Sequence, residues 1–250
     1  MNIDLKDTRA LVTGASRGIG KAIAGALMDS GARVVAHYRS ERAQAEQLVA
    51  PFQGSVALGA DLNDPDACVD LFKRAHDAFG GIDLLVNNAA IALSSEMAKT
   101  TDEWVEDWDR TMRVNLTASA LLAREAIQHA GGRGMRIVFL ASRAAFRGDT
   151  PDYLAYAASK GGMVALSRSI ARGLGKQGVK SFVIAPGFTR TEMAEDFIRT
   201  YGEDYAMKDI ALDRMTEPRD IAPLVVFLAS GLADHATGTS IDVNAASYVR

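Results

Sequence analysis

The run Ala10-Leu11-Val12-Thr13-Gly14-Ala15-Ser16-Arg17-Gly18-Ile19-Gly20 constrains this chain more than any other stretch. Its apolar start reads as a buried strand. Glycines follow at 14, 18 and 20. Apolar residues then recur with helical spacing at Ile19, Ala22, Ile23, Ala26 and Leu27, up to Gly31. Strand, glycine-rich turn and helix together form the opening of a βαβ unit. That is also the context a dinucleotide-phosphate turn requires. Glycine lets the backbone bend tightly and come close to an anion, and the helix N-terminus supplies N–H groups and the positive end of its dipole. The spacing is Gly-x-x-x-Gly-x-Gly rather than the commoner Gly-x-Gly-x-x-Gly. Gly14, Ser16, Arg17, Gly18, Ile19 and Gly20 are therefore the first candidate binding residues.

The rest of the chain continues the alternation. Strand-like runs occupy 9–13, 33–37, 55–60, 84–87, 136–141, 180–185 and 240–243, with helical periodicity clearest at 18–30, 64–79, 102–130, 153–175 and 217–230. Asp64-Pro65 is a helix start, with Asp64 as cap and Pro65 in the first turn. Thr100-Thr101-Asp102-Glu103 carries cap chemistry for the long helix that follows. Apolar strands separated by helices imply right-handed crossovers, a parallel sheet and helices on both faces. In such a sheet the ligand lies beyond the carboxyl ends of the strands. Thr13, Asn87, Ser142 and Pro186 all fall at or just after such ends.

No repeat or linker divides the chain, so one α/β domain over 1–250 is expected; 48% hydrophobic residues can supply its core. The net charge of −3 excludes a general attraction to nucleic acid. Cys68 is the single cysteine, so no intrachain disulfide can form. The first residues carry no apolar signal-like stretch and no run suits a membrane span. A cytoplasmic compartment is expected. His37, His76, His129 and His235 lack ligand spacing, and no metal is expected.

Tyr156 and Lys160 stand four apart in a helical segment, so both leave one face. A nearby ammonium favours the phenolate and is expected to lower the tyrosine pKa from about 10 toward working pH. Such a pair suits carbonyl reduction or alcohol oxidation. After the second strand, Ala36-His37-Tyr38-Arg39-Ser40 offers no carboxylate before Glu41. An NAD site usually places one there for the ribose 2′-hydroxyl. Arg39 and Arg17 can instead meet a 2′-phosphate, so NADP(H) is preferred over NAD(H).

Taken together, the turn at 13–20, Asn87-Asn88-Ala89, Tyr156-x-x-x-Lys160 and Pro186-Gly187 resemble the classical short-chain dehydrogenase/reductase family over essentially the whole length. Within it the chain looks most like the 3-oxoacyl-acyl-carrier-protein reductases. The resemblance implies a Rossmann-type, doubly wound sheet of about seven strands. It implies a catalytic set of Asn115, Ser142, Tyr156 and Lys160: Ser142 on the substrate carbonyl oxygen, Tyr156 as proton donor, Lys160 on the tyrosine and the nicotinamide ribose, and Asn115 supporting a water relay. It assigns Asp61 to the adenine amino group, with Leu62 beside it. Asn88, Ala89 and Ala90 pass close to the cofactor, Ala90 standing where glycine is more usual. Pro186, Gly187, Thr189 and Thr191 hold the carboxamide and pyrophosphate. The segment 190–212, with Met193, Phe197, Ile198, Tyr201, Tyr205 and Met207, resembles the substrate lid.

Arg133 and Arg172 fall where acyl carrier protein reductases carry basic residues, so that carrier is a candidate partner beside a small-molecule or acyl-thioester substrate. Val243-Asn244-Ala245-Ala246 replaces a usual Val-Asp-Gly-Gly, which leaves the form of the last turn open. A homotetramer or homodimer is implied, and Trp104 and Trp108 are read as packing or subunit-contact residues. Other readings stay open: a dehydrogenase or epimerase acting on a sugar, polyol or polyketide, and a nicotinamide-sensing protein without turnover.

Overall fold

The computed structural model describes residues 3–250, apart from the side chains of Met193, Asp196, Phe197, Thr200, Tyr201, Tyr205 and Ala206. The lid contacts expected of Met193, Phe197, Tyr201 and Tyr205 therefore lie outside the described residues. The elements follow in order: β1 (Arg9–Val12), α1 (Gly18–Asp29), β2 (Arg33–Tyr38), α2 (Arg42–Val49), β3 (Val56–Gly59), α3 (Pro65–Phe79), β4 (Leu84–Asn87), α4 (Thr101–Met112), α5 (Ala118–Gln128) and β5 (Met135–Leu140). Then come α6 (Ala144–Arg147), α7 (Leu154–Leu174), β6 (Val179–Pro186), α8 (Glu192–Tyr201), α9 (Glu203–Met207), α10 (Pro218–Ala229) and β7 (Ser240–Val243).

The strands form one parallel sheet in the order β3-β2-β1-β4-β5-β6-β7. The order reverses between β1 and β4, and a crevice opens there at the carboxyl ends of the strands. Both faces of the sheet are covered. On one, Val12, Val34, Val86 and Ile184 pack with Ile23 and Leu27 of α1 and with Ile221 and Val225 of α10. On the other, Leu11, Leu85, Ile137 and Val183 pack with Leu71 and Phe72 of α3, Leu122 of α5 and Met163 of α7. Strands covered on both sides read as continuous apolar runs, which is why they were legible. Each such side chain removed from water is worth about 1.5–3 kcal/mol.

The helix starts have local causes. Asp64 caps α3 by accepting from the Asp66 N–H at 2.9 Å, with Pro65 in the first turn. Thr100 and Glu103 form a reciprocal capping box at α4. The expected single helix over 102–130 is interrupted: residues Arg113–Thr117 make one π-helical turn between α4 and α5. Trp104 and Trp108 stack on each other along α4, with ring centroids 5.2 Å apart. The last turn also takes a definite form. Ala245 and Ala246 occupy the left-handed region at φ 51° and 56°, where glycine would avoid the steric cost of a Cβ. Among the described residues no helix is long and apolar enough to cross a membrane.

Candidate active site

The glycine turn leaves β1 and enters α1. Gly14 and Gly18 have φ of 63° and 54°, values that L side chains rarely adopt. Gly20 is required for space: a Cβ there would collide with the Gly14 carbonyl and Asn88 Nδ2. No side chain caps α1, whose N-terminus faces the cleft. The turn is braced from three directions. Thr13 Oγ1 accepts from the N–H groups of Asn88 and Ala89 at 2.9 and 3.0 Å. Asn88 Nδ2 donates to the Thr13 and Gly14 carbonyls at 2.8 and 3.2 Å. The Gly14 N–H donates to His37 Nδ1 at 3.0 Å, so His37 Nε2 carries the proton and donates to the Ala60 carbonyl at 3.1 Å. Burial pushes the His37 pKa down to about 4, which keeps the ring neutral and this acceptor intact. Nothing in the sequence marked His37, since a histidine in a strand carries no spacing signal.

The turn opens into a cleft of about 1040 Å³. Gly14, Ser16, Arg17, Gly18, Ile19 and Gly20 line it at one end, with Arg39, Asp61, Leu62, Asn88, Ala89 and Ala90 beside them. Ser142, Tyr156 and Lys160 line the other end with Pro186, Gly187, Thr189 and Thr191. Gly187 permits a close approach there, because a Cβ would meet the backbone of Asn244. The expected residues thus converge on a single cavity, except Asn115, which lies buried behind it. Asn115 sits in the π turn. Its Oδ1 accepts from the Ile91 N–H, and its Nδ2 donates to the Ile91 carbonyl and to Ser159 Oγ, all at 2.9–3.0 Å. It thereby ties the cleft loop after β4 to α7. The extra residue of a π turn re-aims backbone groups, and such turns recur at functional sites.

One expectation is corrected. Lys160 does not lower the tyrosine pKa in this structure. Lys160 is buried and Tyr156 is half-buried at the cleft wall, and loss of water acts first on each. Lys160 falls to about 7 and so surrenders the charge that would favour a phenolate. Tyr156 rises to about 12, opposed by its hydrogen bond with Ser142. Lys160 Nζ instead donates to the Leu140 carbonyl at 2.7 Å and lies 5.6 Å from the centre of the tyrosine ring. Arg17 lines the cleft as expected. Its Nη1 meets Glu192 Oε2 at 2.7 Å in an exposed pair, while Arg39 is exposed with no ion pair among the described residues. Arg133 and Arg172 do not line the cleft. Arg133 lies at the opposite end of the sheet, by Gly81 and Arg9, and Arg172 lines a shallow groove with Arg168 and Thr237. Among the described residues no cluster of ligating side chains suits a metal.

This chain matches the family model described as enoyl-(acyl carrier protein) reductase over residues 14–245. The 3-oxoacyl-(acyl-carrier-protein) reductase FabG of Vibrio cholerae is 34% identical over 255 residues, covering 99% of this chain and 100% of that protein. The chain belongs to the short-chain dehydrogenase/reductase family. Versicolorin reductase stcU of Emericella nidulans is 33% identical over 262 residues, covering 99% and 98%. A short-chain dehydrogenase from Burkholderia cenocepacia, solved in complex with NADP, superposes with a TM-score of 0.89 at 32% identity, covering 97% of this chain and 98% of that one. Membership in the short-chain dehydrogenase/reductase family makes the protein an oxidoreductase. Beyond the motifs, the cleft adds lining residues that sequence reasoning missed: His37, Arg143, Arg147, Asp149 and Tyr153. Arg143 and Arg147 fall just after the Ser142 motif, but nothing in the local pattern says which way they face.

Proposed function

We propose that the protein is an NADP(H)-dependent carbonyl reductase in which Tyr156 is the proton donor, with a 3-oxoacyl thioester as the first candidate substrate. The observation that carries this reading is the convergence of Ser142, Tyr156 and Lys160 with the glycine turn on one cleft, backed by buried Asn115. The residues fit the cofactor. The glycine turn lines the cleft beside the uncapped N-terminus of α1, the end of β2 carries no carboxylate before Glu41, and Arg39 stands exposed there. When bound, NADP(H) supplies or accepts the hydride. The relative solved in complex with NADP supports the choice.

Ser142 steadies the carbonyl oxygen of the substrate. Tyr156 holds its proton throughout the neutral range, because an ordinary tyrosine pKa is about 10 and partial burial raises it further. It remains a far stronger acid than water, whose pKa is about 15.7. Proton delivery to a nascent alkoxide is therefore downhill, and the same group can take the proton back when the reaction runs as an oxidation. Lys160, close to neutrality, can return a proton to the site, and Asn115 holds the loop over which that relay runs. The chain is read as one domain, with 190–212 closing over the substrate and with subunits associating as a dimer or tetramer.

Relatives of nearly equal similarity carry different substrate names. The test is accordingly a screen that follows NADPH consumption over ketones and sugars, including a 3-oxoacyl thioester, and NADPH formation from NADP⁺ over sugars and polyols. Turnover of at least one carbonyl compound is expected. Tight NADPH binding without turnover on any of them would instead favour a nicotinamide-sensing protein.

A further inference from the structure

Arg143 follows Ser142 directly and lines the same cleft. Its backbone is held firmly: its N–H donates to the Pro186 carbonyl at 2.9 Å, and its own carbonyl accepts from Phe146 and Arg147 at 3.0 and 3.1 Å. The side chain is half-buried, and Nη1 is buried with no hydrogen-bond partner among the described residues. A guanidinium keeps its charge and carries five donors in a planar fork. Leaving such a donor buried without an acceptor is unfavourable. Burial and the neighbouring Arg147 both work against the charge, while Asp209 and Asp149 favour it from a distance without hydrogen-bonding to it. Arg147 lies one helical turn further along and lines the cleft too. Its Nη1 approaches Asp209 Oδ2 only to 3.6 Å, longer than a hydrogen bond. Two guanidinium groups thus stand at the catalytic end of the cleft with acceptor positions unfilled.

We propose that Arg143, assisted by Arg147, binds a carboxylate carried by the substrate itself, so that oxo acids are the preferred substrate class. The planar fork matches a carboxylate in bidentate fashion. A carboxylate is also what Asp209 already offers, loosely, to Arg147. The inference rests on the carbonyl-reductase reading and puts free oxo acids ahead of the 3-oxoacyl thioester within it, because an ester or thioester of the same oxo acid lacks the anion.

The test compares 2-oxo and 3-oxo acids with their methyl esters and with a 3-oxoacyl thioester, following NADPH consumption. The free acids should show the higher kcat/KM. Arg143→Gln should lower kcat/KM for the acids about 10- to 100-fold, the range for hydrogen bonds to charged groups. The esters and NADPH affinity should stay nearly unchanged. Should Arg143→Gln fold poorly, Arg143→Lys keeps the charge without the fork and should give an intermediate loss confined to the acids. Equal use of acid and ester by the unaltered protein overturns the proposal, as does an Arg143 variant that loses both alike. If nothing in the panel is turned over, the reductase reading fails separately. Calorimetric titration of the oxo acids into NADP⁺-saturated protein then decides: binding lost in Arg143→Gln upholds the carboxylate site, and no binding by the unaltered protein rejects it.

Discussion

Arg39 is exposed at the cofactor end of the cleft and has no ion pair, whereas Arg17 is engaged by Glu192. If the proposed NADPH preference holds, Arg39 should carry a large part of it. Arg39→Ala should weaken NADPH binding by about 1.5–3 kcal/mol, the worth of a hydrogen bond to a charged group, and leave NADH nearly unchanged. Isothermal titration with each cofactor measures this, and the loss should appear in KM because the contact is the same in ground and transition states. Lys160 carries a second prediction. Its folded pKa, near 7, lies below the ordinary lysine value of 10.5. Between these values the unfolded chain binds the extra proton, so stability rises with pH across that window, by at most about 1.4 kcal/mol per pH unit. Tyr156 acts in the opposite sense only above pH 10, where the unfolded chain loses its proton first. Urea denaturation at pH 7 and pH 9 should show the rise, and Lys160→Met should flatten it. At this scale the residues that meet in the cleft were legible where they belonged to spaced motifs, the glycines of the turn with Tyr156 and Lys160, whereas Ser142 came only through the family resemblance. Their protonation was not. A spacing of four puts Lys160 beside Tyr156, but burial, which no spacing reveals, decides whether either carries charge.

At the scale of elements, the strands and most helices follow from apolar periodicity and caps, and their observed ends lie within a few residues of those the pattern gives. The departures each come from a contact made at long range. The helix over 102–130 is broken by a π turn because Asn115 reaches out of it to Ile91 and Ser159. The direction in which its side chain points is not encoded in the helical pattern. The terminal turn is a sharper case. Two alanines take left-handed backbone after Asn244, whose Nδ2 donates to the Tyr248 carbonyl, while the Ala245 carbonyl accepts from Ala211. Left-handed backbone costs an L residue about 1–2 kcal/mol. Glycine relieves that but returns about 0.4–1 kcal/mol of unfolded-chain entropy. Ala245→Gly and Ala246→Gly should each therefore stabilise the protein by about 0.5–1 kcal/mol, read as a higher midpoint in chemical denaturation. An unchanged or lower midpoint would mean that the turn is not left-handed at these positions.

At the scale of the whole molecule, the sheet order places the glycine turn after β1, the loop after β4, Ser142 after β5 and Pro186 of β6 at one end of the sheet. That placement follows from the alternation of strands and helices. The division of 190–212 into α8 and α9 does not, because its mixed apolar and charged residues give no single periodic pattern. The central claim is that this cleft transfers a proton from Tyr156 during carbonyl reduction. It is tested most directly by comparing Tyr156→Phe with the unaltered protein on one substrate found in the screen, measuring kcat for NADPH consumption and NADPH affinity together. The ring and its packing are kept and only the donor is lost. The account predicts a fall in kcat of roughly 10²–10⁴-fold with NADPH affinity essentially unchanged. Turnover close to that of the unaltered protein would contradict it.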